Sequence, residues 1–194
     1  MRTRSLLAAT STIAVTVALL AIAVGTATAG RACTVNGTPD DDRLTGTDGR
    51  DVICARGGDD VLRGLDGDDL LLGGRGNDDL RGGPGDDRLV GGAGGDSLRP
   101  GGGTDLIRGG GGRDTSGVTS GGNDRWLGGP GNDYMTDFNG RDVIKGGGDR
   151  DRCLATADGS GGDVIRGGPG RDTWDADGGD TVGGVENQAV CYAD

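Results

Sequence analysis

The sequence has no histidine, one glutamate (Glu186), one lysine (Lys145) and five aromatic residues in 194. Each shortage excludes something. Without histidine the chain lacks the commonest general base and the commonest transition-metal ligand. Neither H-E-x-x-H, nor G-x-S-x-G, nor a phosphate-binding P-loop, nor C-x-x-C occurs. With few aromatics and 46 glycines, material for an ordinary core and for helices is missing. The near-absence of glutamate is the sharpest of these features. Of 31 acidic residues all but Glu186 are aspartate. A chain that needed only negative charge would mix the two; aspartate has the shorter arm and suits turns. The formal net charge of −11 argues against nucleic acid and anionic membrane surfaces as partners.

Residues 1–29 contain no acid. Arg2 and Arg4 precede an apolar run from Leu6 to Gly25, and Ala27-Thr28-Ala29 forms an A-x-A site. This is the pattern of a secretory signal peptide cleaved before Gly30. The run is almost long enough for an uncleaved membrane anchor, but the cleavage site directly after it favours removal. The expected product is secreted and extracellular, with no membrane span after cleavage. Loss of Arg2 and Arg4 leaves 18 basic and 31 acidic residues, a charge of −13. Four cysteines (Cys33, Cys54, Cys153, Cys191) follow the segment, and an even number in an exported chain reads as disulfides. Their spacings suit no zinc site.

What is abundant is periodic. Asp42, Asp51, Asp60, Asp69, Asp78, Asp87, Asp96, Asp105 and Asp114 are each nine residues apart. One extra residue near Val118 shifts the phase to Asp124, Asp133, Asp142 and Asp151; an insertion around 155–157 shifts it again to Asp163 and Asp172. Two places after each aspartate stands a bulky residue, from Leu44 and Ile53 through Leu98 and Ile107 to Trp126, Met135, Ile144, Cys153, Ile165, Trp174 and Val182, with Ser116 the exception. Two places before most of them stands glycine; Asp40 and Asp149 break that column. Six turn residues followed by three extended ones, with one inward side chain, predict a coil. Each short strand would stack on the strand one coil earlier, about 4.8 Å away. Two nonapeptides per coil would make two thin parallel sheets whose leucines meet inside.

Such stacking also piles up the aspartates, and two bare carboxylate ladders repel strongly. A hard divalent cation resolves the repulsion. Calcium, with six to eight oxygens in a flexible shell, suits aspartates from two stacked turns plus turn carbonyls better than magnesium does. Many ions are expected, and the chain is expected to fold on binding them.

GGRGNDDLR (73–81) and GGPGDDRLV (82–90) resemble the nonapeptide of the repeats-in-toxin (haemolysin-type) family, G-G-x-G-x-D-x-U-x. The resemblance implies an all-β fold, a parallel β-roll (β-solenoid) with two repeats per coil, over residues 37–183. It also implies calcium ligation at Asp42, Asp51, Asp60, Asp69, Asp78, Asp87, Asp96, Asp105, Asp114, Asp124, Asp133, Asp142, Asp151, Asp163 and Asp172. Residues 30–36 and 184–194 then serve as caps. Four cysteines admit three pairings; the favoured staples are Cys33–Cys54, about one coil apart, and Cys153–Cys191.

The expected function is a secreted, non-catalytic calcium-binding repeat protein. An adhesive or polysaccharide-binding surface module is the alternative, because Arg43, Arg63, Arg81, Arg88, Arg99 and Arg108 fall at outward strand positions. Their other role would be to offset the ladder charge. Trp126 and Trp174, in a column built for leucine, are read as space-fillers before ligand-stacking platforms. The stretch from Asp175 to Glu186 only partly matches an EF-hand loop and reads as a decayed last repeat.

Overall fold

A computed structural model describes residues 32–117, 121–136, 139–155, 162–175, 181–183 and 187–188. The expected signal segment and Cys191 lie outside these. The described chain contains no helix. It runs through β1 (Val35–Asn36), β2 (Arg43–Thr45), β3 (Val52–Gly57), β4 (Val61–Arg63), β5 (Leu70–Arg75), β6 (Asp79–Pro84), β7 (Arg88–Ala93), β8 (Ser97–Gly102) and β9 (Leu106–Gly111). It continues through β10 (Thr115–Gly117), β11 (Arg125–Pro130), β12 (Tyr134–Thr136), β13 (Val143–Gly148), β14 (Arg152–Ala155), β15 (Val164–Arg166), β16 (Thr173–Asp175), β17 (Thr181–Gly183) and β18 (Asn187–Gln188). Odd-numbered strands form one nine-stranded sheet and even-numbered strands the other. The pairings are parallel, and neighbours in a sheet are two repeats apart: Leu62 beside Leu80, Leu80 beside Leu98, Leu71 beside Leu89. This is the parallel β-roll expected from the period.

The core is one side chain deep. Ile53, Leu71, Leu89, Ile107, Trp126, Ile144 and Ile165 from the odd sheet meet Leu62, Leu80, Leu98 and Met135 from the even sheet, all buried in one cluster. Trp174 packs on its edge. Both tryptophans therefore serve packing. Ser116 is buried too, and its hydroxyl donates to the Leu98 carbonyl at 2.7 Å. β10 and β11 are consecutive strands on facing sheets. Small Ser116 on one and large Trp126 on the other keep the core volume near that of two leucines.

Many strands are longer than the three residues expected. β5 has six because the glycine pair that follows Leu72 goes on pairing with the next coil, Gly74 beside Gly92. Gly74 has φ 120°, open only to glycine, so the chain turns without giving up its ladder bonds. β4 stops after three residues; Leu65 holds the second glycine position at φ 84°. The extra residue near 118 appears as a 19-residue step, Thr115 beside Tyr134. The insertion after β14 is taken up partly by an irregularity within that strand, which places Leu154 rather than Cys153 beside Trp174.

Candidate calcium-binding ladders

The turns on either side of the roll carry one aspartate column each. The aspartate backbone N–H of one coil donates to the Oδ1 of the aspartate in the next. On the even side the chain runs Asp42 to Asp60 (2.7 Å), Asp78, Asp96, Asp114, Asp133, Asp151 and Asp172. On the odd side it runs Asp51 to Asp69 (2.7 Å), Asp87, Asp105, Asp124, Asp142 and Asp163. All fifteen expected aspartates thus fall in two continuous columns, and all but Asp42 are buried.

The second oxygen is different. Oδ2 of Asp60, Asp69, Asp78, Asp87, Asp96, Asp105, Asp114, Asp124, Asp133, Asp151 and Asp172 is buried with no hydrogen-bond partner. A buried carboxylate oxygen left bare is costly, and eleven repetitions of it need an explanation. The surroundings supply one. Each such Oδ2 that faces a turn glycine five residues earlier shares that space with a carbonyl of the next coil. A Cβ placed on Gly91 would run into Asp96 Oδ2 and stand 2.7 Å from the Gly109 carbonyl oxygen. At Gly73 the same place is bounded by Asp78 Oδ2 and, at 2.6 Å, the Gly91 carbonyl oxygen. The absence of a side chain, recurring at Gly64, Gly73, Gly82 and Gly91, leaves a cradle of hard oxygens, the donor set calcium prefers. Among the described residues no three acidic side chains converge on one point, so carbonyls must complete any such shell.

Electrostatics agree. Burial, reinforced by like charges one coil away and opposed by the backbone N–H bond, raises the carboxyls of Asp78, Asp96, Asp114, Asp133 and Asp151 to about 6. The same causes raise Asp87 and Asp105 to about 7. A group so placed wants either a proton or a cation.

Asp42 and Asp51 depart from this. Thr38 donates to Asp42 Oδ2 through its N–H (2.6 Å) and hydroxyl (3.0 Å); Thr47 does the same for Asp51 Oδ2 (2.6 and 2.9 Å). The Thr34 hydroxyl reaches Asp51 Oδ1 at 2.9 Å. These bonds, led by the Thr47 N–H, hold the Asp51 carboxyl below its usual value. Threonine stands where later repeats have the second glycine, a substitution visible in G-T-P-D-D-D and G-T-D-G-R-D whose meaning appears only when the turn closes. Next to it lies the Cys33–Cys54 disulfide, Cα atoms 5.9 Å apart, as expected. In the expected Cys153–Cys191 pair, Cys153 stands in β14 and Cys191 lies outside the described residues.

A further column is the residue before each aspartate, which the nine-residue reading passed over. Asp41, Asp59, Asp68, Asn77, Asp86, Asn123 and Asn132 accept the backbone N–H eighteen residues later, for example Asn77 N–H to Asp59 Oδ1 at 2.7 Å. The aspartates bond one coil back and these residues one coil forward, so the turns are laced in both directions. Its sequence signal was the N-D and D-D pairs.

The family model described as the RTX calcium-binding nonapeptide repeat matches residues 36–71, 46–80, 55–88, 63–98, 81–115 and 118–153, together more than half of the chain. No curated protein matches the sequence. With its buried aspartate columns, parallel roll and repeats in phase, the chain belongs to the RTX calcium-binding nonapeptide repeat family and binds calcium at multiple repeats.

Proposed function

We propose that the protein is a secreted, non-catalytic calcium-binding roll whose ions sit along the two aspartate columns and complete its fold. The observation that carries this is the run of buried, unpartnered Oδ2 atoms from Asp60 to Asp172. Asp60, Asp69, Asp78, Asp87, Asp96, Asp105, Asp114, Asp124, Asp133, Asp142, Asp151, Asp163 and Asp172 are the proposed ligands, with turn carbonyls. Calcium bound there neutralises stacked carboxylates that otherwise face one another across one coil. At Asp42 and Asp51 the threonine hydroxyls and N–H groups do that work, so these two are the weakest ligands of the fifteen. The absence of histidine and the employment of the acids in the ladder support a non-catalytic role.

Export rests on the leader-like segment 1–29. The adhesive reading needs one arginine face. The six arginines divide: Arg43, Arg63, Arg81 and Arg99 lie on even strands, Arg88 and Arg108 on odd ones. Asp79 pairs with Arg81 at 2.7 Å and with Arg99 at 3.1 Å, which supports charge compensation instead.

Equilibrium dialysis of protein recovered from culture medium tests both halves. The expected result is a chain starting at Gly30 that takes up many calcium ions and does not exchange them for magnesium at equal concentration. A single ion, or a chain retained in the membrane with Met1 intact, would contradict it.

A further inference from the structure

In the column before the ladder aspartates, the even side reads Asp41, Asp59, Asn77, Gly95, Arg113, Asn132 and Arg150 in successive coils. Arginine has no acceptor and cannot make the forward bond that Asp59 or Asn132 makes. Two arginines two coils apart thus give up a lacing bond. Cα atoms two strand spacings apart lie about 10 Å from each other, and between them stands Asn132.

These arginines line an open bay of about 230 Å³ together with Asn132, Tyr134, Arg152 and the buried ladder residue Asp133. Tyr134 is one of two large apolar-bodied side chains left exposed among the described residues. The guanidiniums of Arg113, Arg150 and Arg152 form no ion pair or hydrogen bond with any described residue, unlike Arg81 and Arg99. Asp149, whose charge is felt at Asp133 and Asp151, is the acid they would be expected to neutralise, and they do not reach it. Three guanidinium forks with no partner among the described residues, lining one bay with a tyrosine, form a binding arrangement: guanidinium takes an oxyanion in paired hydrogen bonds, and a tyrosine ring covers a sugar-sized body.

We propose that this bay binds an oxyanion, phosphate or carboxylate, carried on a ring the size of a monosaccharide. Asn132 would supply a neutral donor between the arms. The proposal leans on the calcium reading in one respect: Asp133 beneath the bay is a proposed ion ligand, so filling the ladder removes a negative charge from under the anion and strengthens its binding.

The test is calorimetric titration of the calcium-loaded full chain with glucose 1-phosphate, glucuronate and, as neutral control, glucose. The two anions separate phosphate from carboxylate as the recognised group. The paired variant Arg113→Gln/Arg150→Gln should weaken binding by at least about tenfold, since it removes two charge-assisted contacts. Arg63→Gln/Arg99→Gln, the same loss of charge elsewhere on the even sheet, should change it less than about twofold. All four arginines are exposed, and circular dichroism checks that each variant keeps its fold. Equal losses in the two pairs, binding of glucose as tight as of either anion, or no binding by folded protein would overturn the site. A chain already β-rich without calcium is titrated in both conditions. Anion binding that is then indifferent to calcium would leave the bay standing and refute the ladder ions.

Discussion

At Asp87 the two carboxylate oxygens have separate roles. Oδ1 accepts the Asp69 N–H at 2.8 Å and fixes the coil spacing; Oδ2 is buried and bare. Burial raises this carboxyl to about 7. A carboxyl whose folded pKa is raised stabilises the fold fully below its unfolded value and ceases to do so as pH rises through the folded one. Without calcium the roll should therefore be more stable near pH 4 than near pH 8, with the loss setting in above the ordinary value of 3.8 and complete once pH passes about 6 to 7 for Asp78, Asp87, Asp96 and Asp105. Asp51, held low by Thr47 and Thr34, works the other way and weakens only as pH falls through its folded pKa. The β content of the chelated chain, followed by circular dichroism across that range, should rise as pH falls. A chelated chain more β-rich at pH 8 than at pH 4 would show that the columns are not strained by charge. Leu65 offers a second residue-scale expectation. It holds a glycine position at φ 84° and its side chain is exposed. Leu65→Gly removes roughly 1 kcal/mol of backbone strain and should raise the calcium-loaded melting temperature by a few degrees; a drop would mean that the leucine packs usefully.

Among the elements, the first coil stands apart. β1 pairs with β3, Cys33 just before β1 is bonded to Cys54 in β3, and the carboxylates of Asp42 and Asp51 are satisfied by Thr38 and Thr47. This coil has its staple and its hydrogen bonds without an ion, whereas coils from Asp60 onward do not. Hydrogen exchange in chelator should find β1–β3 the best protected segment, and Thr47→Val, which removes the hydroxyl bond to Asp51 but keeps the N–H one, should reduce that protection while leaving the calcium-loaded roll intact. Uniform exchange along the chain would contradict it. The contrast also marks what the sequence made legible. A nine-residue period with Leu71, Leu80 and Leu89 in phase fixes which side chain is inward, and two repeats per coil follow from parallel stacking. Strand length was not legible, because Gly73 and Gly74 read as turn yet pair like strand. Nor were the threonine caps, whose bonds to the aspartate four residues on form only when the turn closes, or the forward-bonding Asp59 and Asn77, whose partners lie eighteen residues away and whose place varies among Asp, Asn, Gly, Thr and Arg.

The described residues form a thin roll with one layer of leucines and two seams of carboxylate. Its core is small for its length, and its glycines cost more entropy to order than other residues. If each ion site has the millimolar-range affinity typical of extracellular calcium modules, each contributes about 0.4 to 1.4 kcal/mol at millimolar calcium. Ten such sites match the net stability of an ordinary domain. Proton and ion then compete for the same Oδ2 atoms, so the calcium needed should rise as pH falls below about 6.

If calcium completes the fold, the far-ultraviolet circular dichroism of the chain from Gly30 to Asp194 should respond to calcium at neutral pH and not to magnesium titrated in parallel. A cooperative transition from coil to β near millimolar calcium, absent with magnesium, is the predicted result. A spectrum already β-rich in excess chelator, unchanged by calcium, would contradict it and leave the bare oxygens of the two columns without a role.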